Sequence, residues 1–147
     1  MVGPIAIYFD IGDTLAIPKL SDTGEVQELI VLPFVHDVLR RLKGMRGAND
    51  TKVILGVISN TGNETLERMH SLLDAAGLTG SLDANLLLFS SVEGMDKTQK
   101  SFFQLACARA GVPAERCIFV GENEAERKVA ASANMLVSYH PLHVFSC

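Results

Sequence analysis

Eight residues of this chain combine reactive types with telling positions: Asp10, Gly12, Asp13, Ser59, Asn60, Lys97, Glu122 and Glu126. Taken singly, each is ordinary. Taken together they offer carboxylates, a hydroxyl, an amide and an ammonium, a set able to hold a divalent cation and a phosphate at once. Mg²⁺ takes hard oxygen ligands and keeps several waters. Asp10 offers one such oxygen, the backbone carbonyl of Gly12 a second, and Glu122 or Glu126 a third. Ser59, Asn60 and Lys97 are the candidate contacts for the far side of a phosphoryl group. Asp10 would then be the nucleophile, forming an aspartyl-phosphate that water hydrolyses.

Such a constellation needs a scaffold that gathers distant residues at one edge. Short apolar runs at 4–9 (PIAIYF), 53–58 (VILGVI), 86–89, 117–120 and 135–137 read as buried strands. They lack the apolar/polar alternation of a half-exposed antiparallel sheet. Between them lie apolar residues spaced by three and four: Val35, Val38, Leu39 and Leu42; then Leu66, Met69, Leu72, Leu73 and Ala76; then Phe102, Leu105, Ala106 and Ala110. A short Ala-rich helix is expected at 124–133. Residues 61–64 (TGNE) read as a capping box opening the second helix, with Gly77 stopping it, and Gly111 and Pro113 stop the third. Strand–helix alternation predicts an α/β fold with a five-stranded parallel sheet and helices on both faces. Residues 15–32 break the rhythm as two β-like runs about a turn at 21–24 (SDTG), a hairpin flap beyond the first strand. In an open parallel sheet ligands bind at the carboxyl ends of the strands, where all the candidate residues lie.

The order of these segments resembles the haloacid dehalogenase (HAD) superfamily. Phe9-Asp10-Ile11-Gly12-Asp13-Thr14-Leu15 is similar to its first motif, Asp-x-Asp-x-Thr after an apolar strand. Val57-Ile58-Ser59-Asn60 is similar to the second, Gly94-Met95-Asp96-Lys97 to the third, and Ile118-Phe119-Val120-Gly121-Glu122 with Glu126 to the fourth. The resemblance runs from Ile5 to about Val137 and implies a HAD-like Rossmannoid domain. It implies Asp10 as nucleophile, Ser59 as phosphate-binding hydroxyl, Lys97 as the cation stabilising nucleophile and phosphate, and Glu122 and Glu126 as metal-side acids. It also implies that the fourth strand lies beside the first. Two departures stand out. Gly12 replaces the second Asp of the first motif, the family's general acid/base, which implies a slow enzyme or a catalytically degenerate binding or regulatory module. Asp13 sits one place late and is read as a turn residue. Glu122 replaces the usual Asp of the fourth motif. The spacings leave no room for a cap domain, so the substrate, small molecule or macromolecule, would meet an open site gated by the hairpin or by a lid from a partner subunit.

Composition bounds the rest. At 147 residues the whole chain is one domain's length, enough to bury roughly 70% of the unfolded surface. Thirteen basic residues against 17 acidic ones give a net charge of −4, which argues against nucleic acid and anionic membranes as partners. No apolar run reaches the ~20 residues of a membrane helix, and residues 1–4 lack the pattern of a signal peptide. Cys107, Cys117 and Cys147 fit no zinc spacing and read as buried thiols of a cytoplasmic protein. His140 and His143 read as loop histidines, and Cys107, Phe102 and Phe103 as core.

Overall fold

The computed structural model describes residues 4–47 and 51–146. The element order is β1 (Ile5–Phe9), β2 (Ala16–Leu20), β3 (Val26–Val31), α1 (Val35–Gly44), β4 (Arg46–Gly47), β5 (Thr51–Ser59), α2 (Leu66–Ala75), β6 (Leu87–Phe89), α3 (Ser90–Glu93), α4 (Lys100–Ala110), β7 (Cys117–Val120), α5 (Glu124–Ser132) and β8 (Leu136–Ser138). Strands β6, β5, β1, β7 and β8 lie in that order, each parallel to its neighbour. The expected adjacency of β1 and β7 holds, with Phe9 opposite Val120. The sheet has one addition to the parallel set: β4 pairs antiparallel with the start of β5, Arg46 opposite Lys52. A two-residue strand carries too little pattern to be seen in sequence. Cys147 and residues 1–3 lie outside the described residues.

Each central strand is apolar throughout because each serves two cores. Ile7 and Phe9 of β1, Leu55 and Val57 of β5, and Ile118 and Val120 of β7 face α1 and α2. Ala6 and Tyr8, Ile58, Cys117 and Phe119 face the opposite side, against Phe102, Phe103 and Ala106 of α4 and Ala130 of α5. The period of two along a strand, with both faces covered, turns alternation into an unbroken apolar run. Helices α1 and α2 bury Val35, Val38, Leu39 and Leu42, and Met69, Leu72 and Leu73. Cys107 and Cys117 are buried free thiols.

Gly56 shows why a glycine interrupts the β5 run. A Cβ there would stand 2.5 Å from the Leu86 carbonyl oxygen and 2.8 Å from the Tyr8 ring. The chain leading into β6 crosses over β5 at that point, and only a residue without a side chain lets it pass.

Strands β2 and β3 form the expected antiparallel hairpin, Ile17 opposite Ile30 and Lys19 opposite Glu28. The capping expectation is corrected. Helix α2 is capped by Thr65, whose Oγ1 accepts from the Arg68 N–H. Thr61 lies four residues earlier, and its hydroxyl is 2.6 Å from that of Ser91 while its N–H donates to Ser90 Oγ. Long-range partners from α3 thus claimed the residue that local spacing had assigned to the cap. His140 lies just before, and His143 within, a closing 3-10 segment, Pro141–Ser146. Their Nδ1 atoms are taken by the Leu142 N–H and the Ser138 hydroxyl respectively. No helix among the described residues is long and apolar enough to cross a membrane.

Candidate active site

The carboxyl ends of β1, β5 and β7 converge with the loop between α3 and α4. Asp10 follows β1 directly, and its N–H donates to the Val120 carbonyl, so the β1–β7 ladder itself fixes its backbone. Gly121 lies beside it: a Cβ there would stand 3.6 Å from the Asp10 Cβ and under 3 Å from the Phe119 ring.

Lys97 is the centre of the arrangement. It is only 2% exposed, and its Nζ lies 2.8 Å from Asp10 Oδ1 and 2.8 Å from Glu126 Oε1. The Phe119 ring centroid is 5.8 Å away, within cation–π range. A buried ammonium requires such partners, because desolvation without them costs several kcal/mol. Three more contacts hold these groups. The Lys97 N–H donates to Asn60 Oδ1, binding the lysine loop to the end of β5. The Ile11 N–H donates to Asp10 Oδ1. The Asn123 side chain caps α5 by accepting from the Glu126 N–H, which places Glu126 in the first turn, where the helix dipole favours a carboxylate.

The expected residues therefore divide into groups. Asp10, Lys97 and Glu126 form one ion cluster. Asn60 reaches that cluster through the Lys97 backbone. Ser59 is buried at the end of β5, and Ser59, Asn60 and Gly12 line a common cleft. Glu122 is exposed at the rim. Asp13 is exposed and takes the left-handed backbone, φ 60°, as the turn residue it was expected to be. Gly12 has no such backbone, and a Cβ at Gly12 would meet nothing within 4 Å. The turn's conformational demand falls on Asp13 instead. Two supporting residues escaped the sequence reading. Asn123 carries the N-cap signal of an Asn just before an acidic first turn. Phe119 has no local signal and is seen to meet Lys97 only in the folded sheet.

The donor set suits a hard cation in kind. Both Ile11 and Lys97 contact Oδ1 of Asp10, leaving Oδ2 outside these contacts, and the Gly12 carbonyl and the Glu122 carboxylate add oxygens of the type Mg²⁺ takes. Glu126 is engaged by Lys97 through Oε1, and Glu122 stands exposed at the rim. Among the described residues no group of three His, Cys, Asp or Glu side chains is poised to hold a metal alone. A Mg²⁺ held by one or two carboxylates, a carbonyl and waters does not need one.

No protein-family model matches the chain, and no curated protein sequence matches it. Solved structures do. An uncharacterized protein from Listeria monocytogenes serotype 4b superposes with a TM-score of 0.74 at 18% identity, over 90% of this chain and 76% of that one. A HAD-superfamily hydrolase, subfamily IA, from Geobacter sulfurreducens gives 0.70 at 15% identity over 98% and 99%. A HAD-superfamily hydrolase from Ehrlichia chaffeensis gives 0.68 at 15% identity over 99% and 96%. The chain has the α/β fold of the HAD superfamily, with Asp10 and Ser59 at strand ends, Lys97 in the loop between α3 and α4 and Glu126 in the first turn of α5.

Proposed function

We propose that the chain is a phosphohydrolase of the HAD type, working through an aspartyl-phosphate at Asp10. The observation that carries this reading is the buried Lys97, held between Asp10 at the end of β1 and Glu126 in the first turn of α5. Asp10 Oδ2 attacks phosphorus, the Asp10 O–P bond forms and the ester P–O bond breaks. The leaving alkoxide takes its proton from water, since Gly12 provides none. Water then attacks the acyl-phosphate phosphorus, releasing phosphate and restoring the Asp10 carboxylate. Lys97 holds Asp10 in place and faces the charge that builds on the phosphoryl oxygens. Ser59 would donate to one of those oxygens.

Charge arithmetic gives the cation its place. Asp10, Glu126 and Lys97 sum to a formal −1, which repels a phosphate dianion. Mg²⁺, held by Asp10, the Gly12 carbonyl and Glu122, would supply the missing positive charge when bound. The missing general acid makes the enzyme slow, by a factor within the ~10²–10⁴ that acid–base catalysis is worth. Cytoplasmic location, a phosphorylated substrate and a lid from a partner subunit belong to the same proposal.

The test is a panel of phosphate monoesters with and without Mg²⁺, run on the wild type and on Asp10→Asn. The amide keeps the shape and cannot attack phosphorus, so activity should vanish while the fold persists. Hydrolysis undiminished in Asp10→Asn would refute the mechanism. A second reading, a degenerate binding or regulatory module, is favoured by Gly12 and by the rim position of Glu122. Complete inertness of the wild type across the panel would favour it.

A further inference from the structure

A cleft of about 330 Å³ opens from the same strand ends and runs under the hairpin. That is at the small end of the ~300–1,000 Å³ of ligand sites, room for a ring or a short chain. Gly12, Ser59 and Asn60 form its inner end, continuous with the proposed phosphoryl site. Beyond them its walls are mostly apolar, Ile11, Pro18, Val26, Leu29, Met69 and Leu72, with Thr61, Gly62 and Glu64 completing the lining. The hairpin contributes Pro18, Val26 and Leu29, and α2 contributes Met69 and Leu72. Arg68 of α2 fastens the two walls by donating to the Val26 carbonyl.

The charges around this cleft are one-sided. Glu64 is the ionisable residue among those lining it, and no Lys or Arg lines it. The nearby Arg68 is already committed, to Val26 and to Glu64 at 3.4 Å. A substrate with a second phosphate or a carboxylate on its leaving group would meet an unpaired desolvation cost there. An apolar leaving group would instead bury its surface against six apolar side chains.

We infer that the leaving group is apolar and uncharged: the substrate class is the phosphate monoester of a small aryl or alkyl alcohol, seated beneath the hairpin. This rests on the phosphohydrolase reading and adds the leaving-group specificity to it.

Alkylphosphonates test it without catalysis, because their P–C bond is not hydrolysed. The binding of inorganic phosphate and of methyl-, butyl- and hexylphosphonate is measured by calorimetry with Mg²⁺ present. Affinity should rise by roughly fourfold for each methylene that enters the cleft. Pro18→Glu, on the exposed hairpin, and Val26→Asn, on its half-buried side, should both flatten that rise and leave phosphate binding in place. A flat series in the wild type, or an unchanged rise in both variants, overturns the inference while phosphate binding still supports the anion site. A steep series with no ester hydrolysed leaves the cleft assignment standing and removes the hydrolase reading. No binding of phosphate or any phosphonate overturns both.

Discussion

Lys97 shows how far one side chain can bind a site together, and what its loss would expose. Replacing it with methionine would leave the Asp10 and Glu126 carboxylates facing one another without their shared cation. Removing one partner of a buried ion pair costs ~3–5 kcal/mol. Asp10 and Glu126 are 13% and 20% exposed, and water softens the penalty toward the lower end, about 3 kcal/mol. Lys97→Met should lose that much in urea melts, and the double change with Glu126→Gln should recover part of it. Equal stability of Lys97→Met and the wild type would mean the cluster is not formed in solution. Gly12 is the complementary case. Its backbone is open to any residue, and its missing Cβ faces free space. Gly12→Asp should therefore fold and raise turnover by up to ~10²–10⁴. The gain should be largest for esters whose leaving groups need a proton and small for p-nitrophenyl phosphate. A folded variant with equal rates for both ester types would show that proton delivery is not what the site lacks.

At the scale of elements, the lysine loop depends on a clamp outside the site. Glu93 ends α3 and Arg109 lies in α4, and they face each other in a two-pronged pair with bonds of 2.9 and 2.8 Å. The pair ties together the two helices that flank Gly94–Lys97. The hydrogen bonds from Arg109 hold the Glu93 carboxyl below its ordinary value of 4.5. A depressed carboxylate contributes its full stabilisation above the unfolded value and loses it as pH falls through the folded one. Glu93→Gln should thus cost about 1 kcal/mol at pH 7 for a part-exposed charged pair, and the gap to wild type should shrink as the pH falls below the unfolded value of 4.5 and through the lowered folded one. A gap independent of pH would point to packing rather than charge. Strand crossing makes a second demand. Gly56→Ala places a methyl against the Leu86 backbone and the Tyr8 ring, an overpacking cost of about 1–3 kcal/mol. A melting point unchanged by that substitution would contradict the close passage over β5.

At the scale of the molecule, what the sequence could disclose follows from where each signal resides. The five parallel strands and most helix faces were legible, because a strand covered on both faces is apolar at every position, Ile5 to Phe9 being the clearest. The cluster residues were legible because Asp10 follows a strand directly and Lys97 and Glu126 lie in the segments that follow β6 and β7 on the same sheet edge. The cap of α2 was not, since Thr61 is claimed by Ser90 and Ser91, thirty residues on. The commitment of Glu126 to Lys97 was not either, because two acids four apart on one segment look alike until the helix turns one of them inward. That division leads to a last prediction about the whole fold. If Glu126 serves the lysine and Glu122 serves a cation, ligand binding to the native state alone should separate them. At one hundred times its dissociation constant Mg²⁺ would stabilise the chain by ~2.7 kcal/mol, a rise in melting temperature of roughly 5–10 °C for a protein near this size. Glu122→Gln should abolish that rise while changing the metal-free melting point little, since Glu122 is exposed. Glu126→Gln should lower the metal-free melting point and keep a Mg²⁺-dependent rise. Thermal melts of the three proteins across a Mg²⁺ titration decide it: a rise that survives in Glu122→Gln and disappears in Glu126→Gln would reverse the two assignments, and no rise in the wild type would remove the cation from the site.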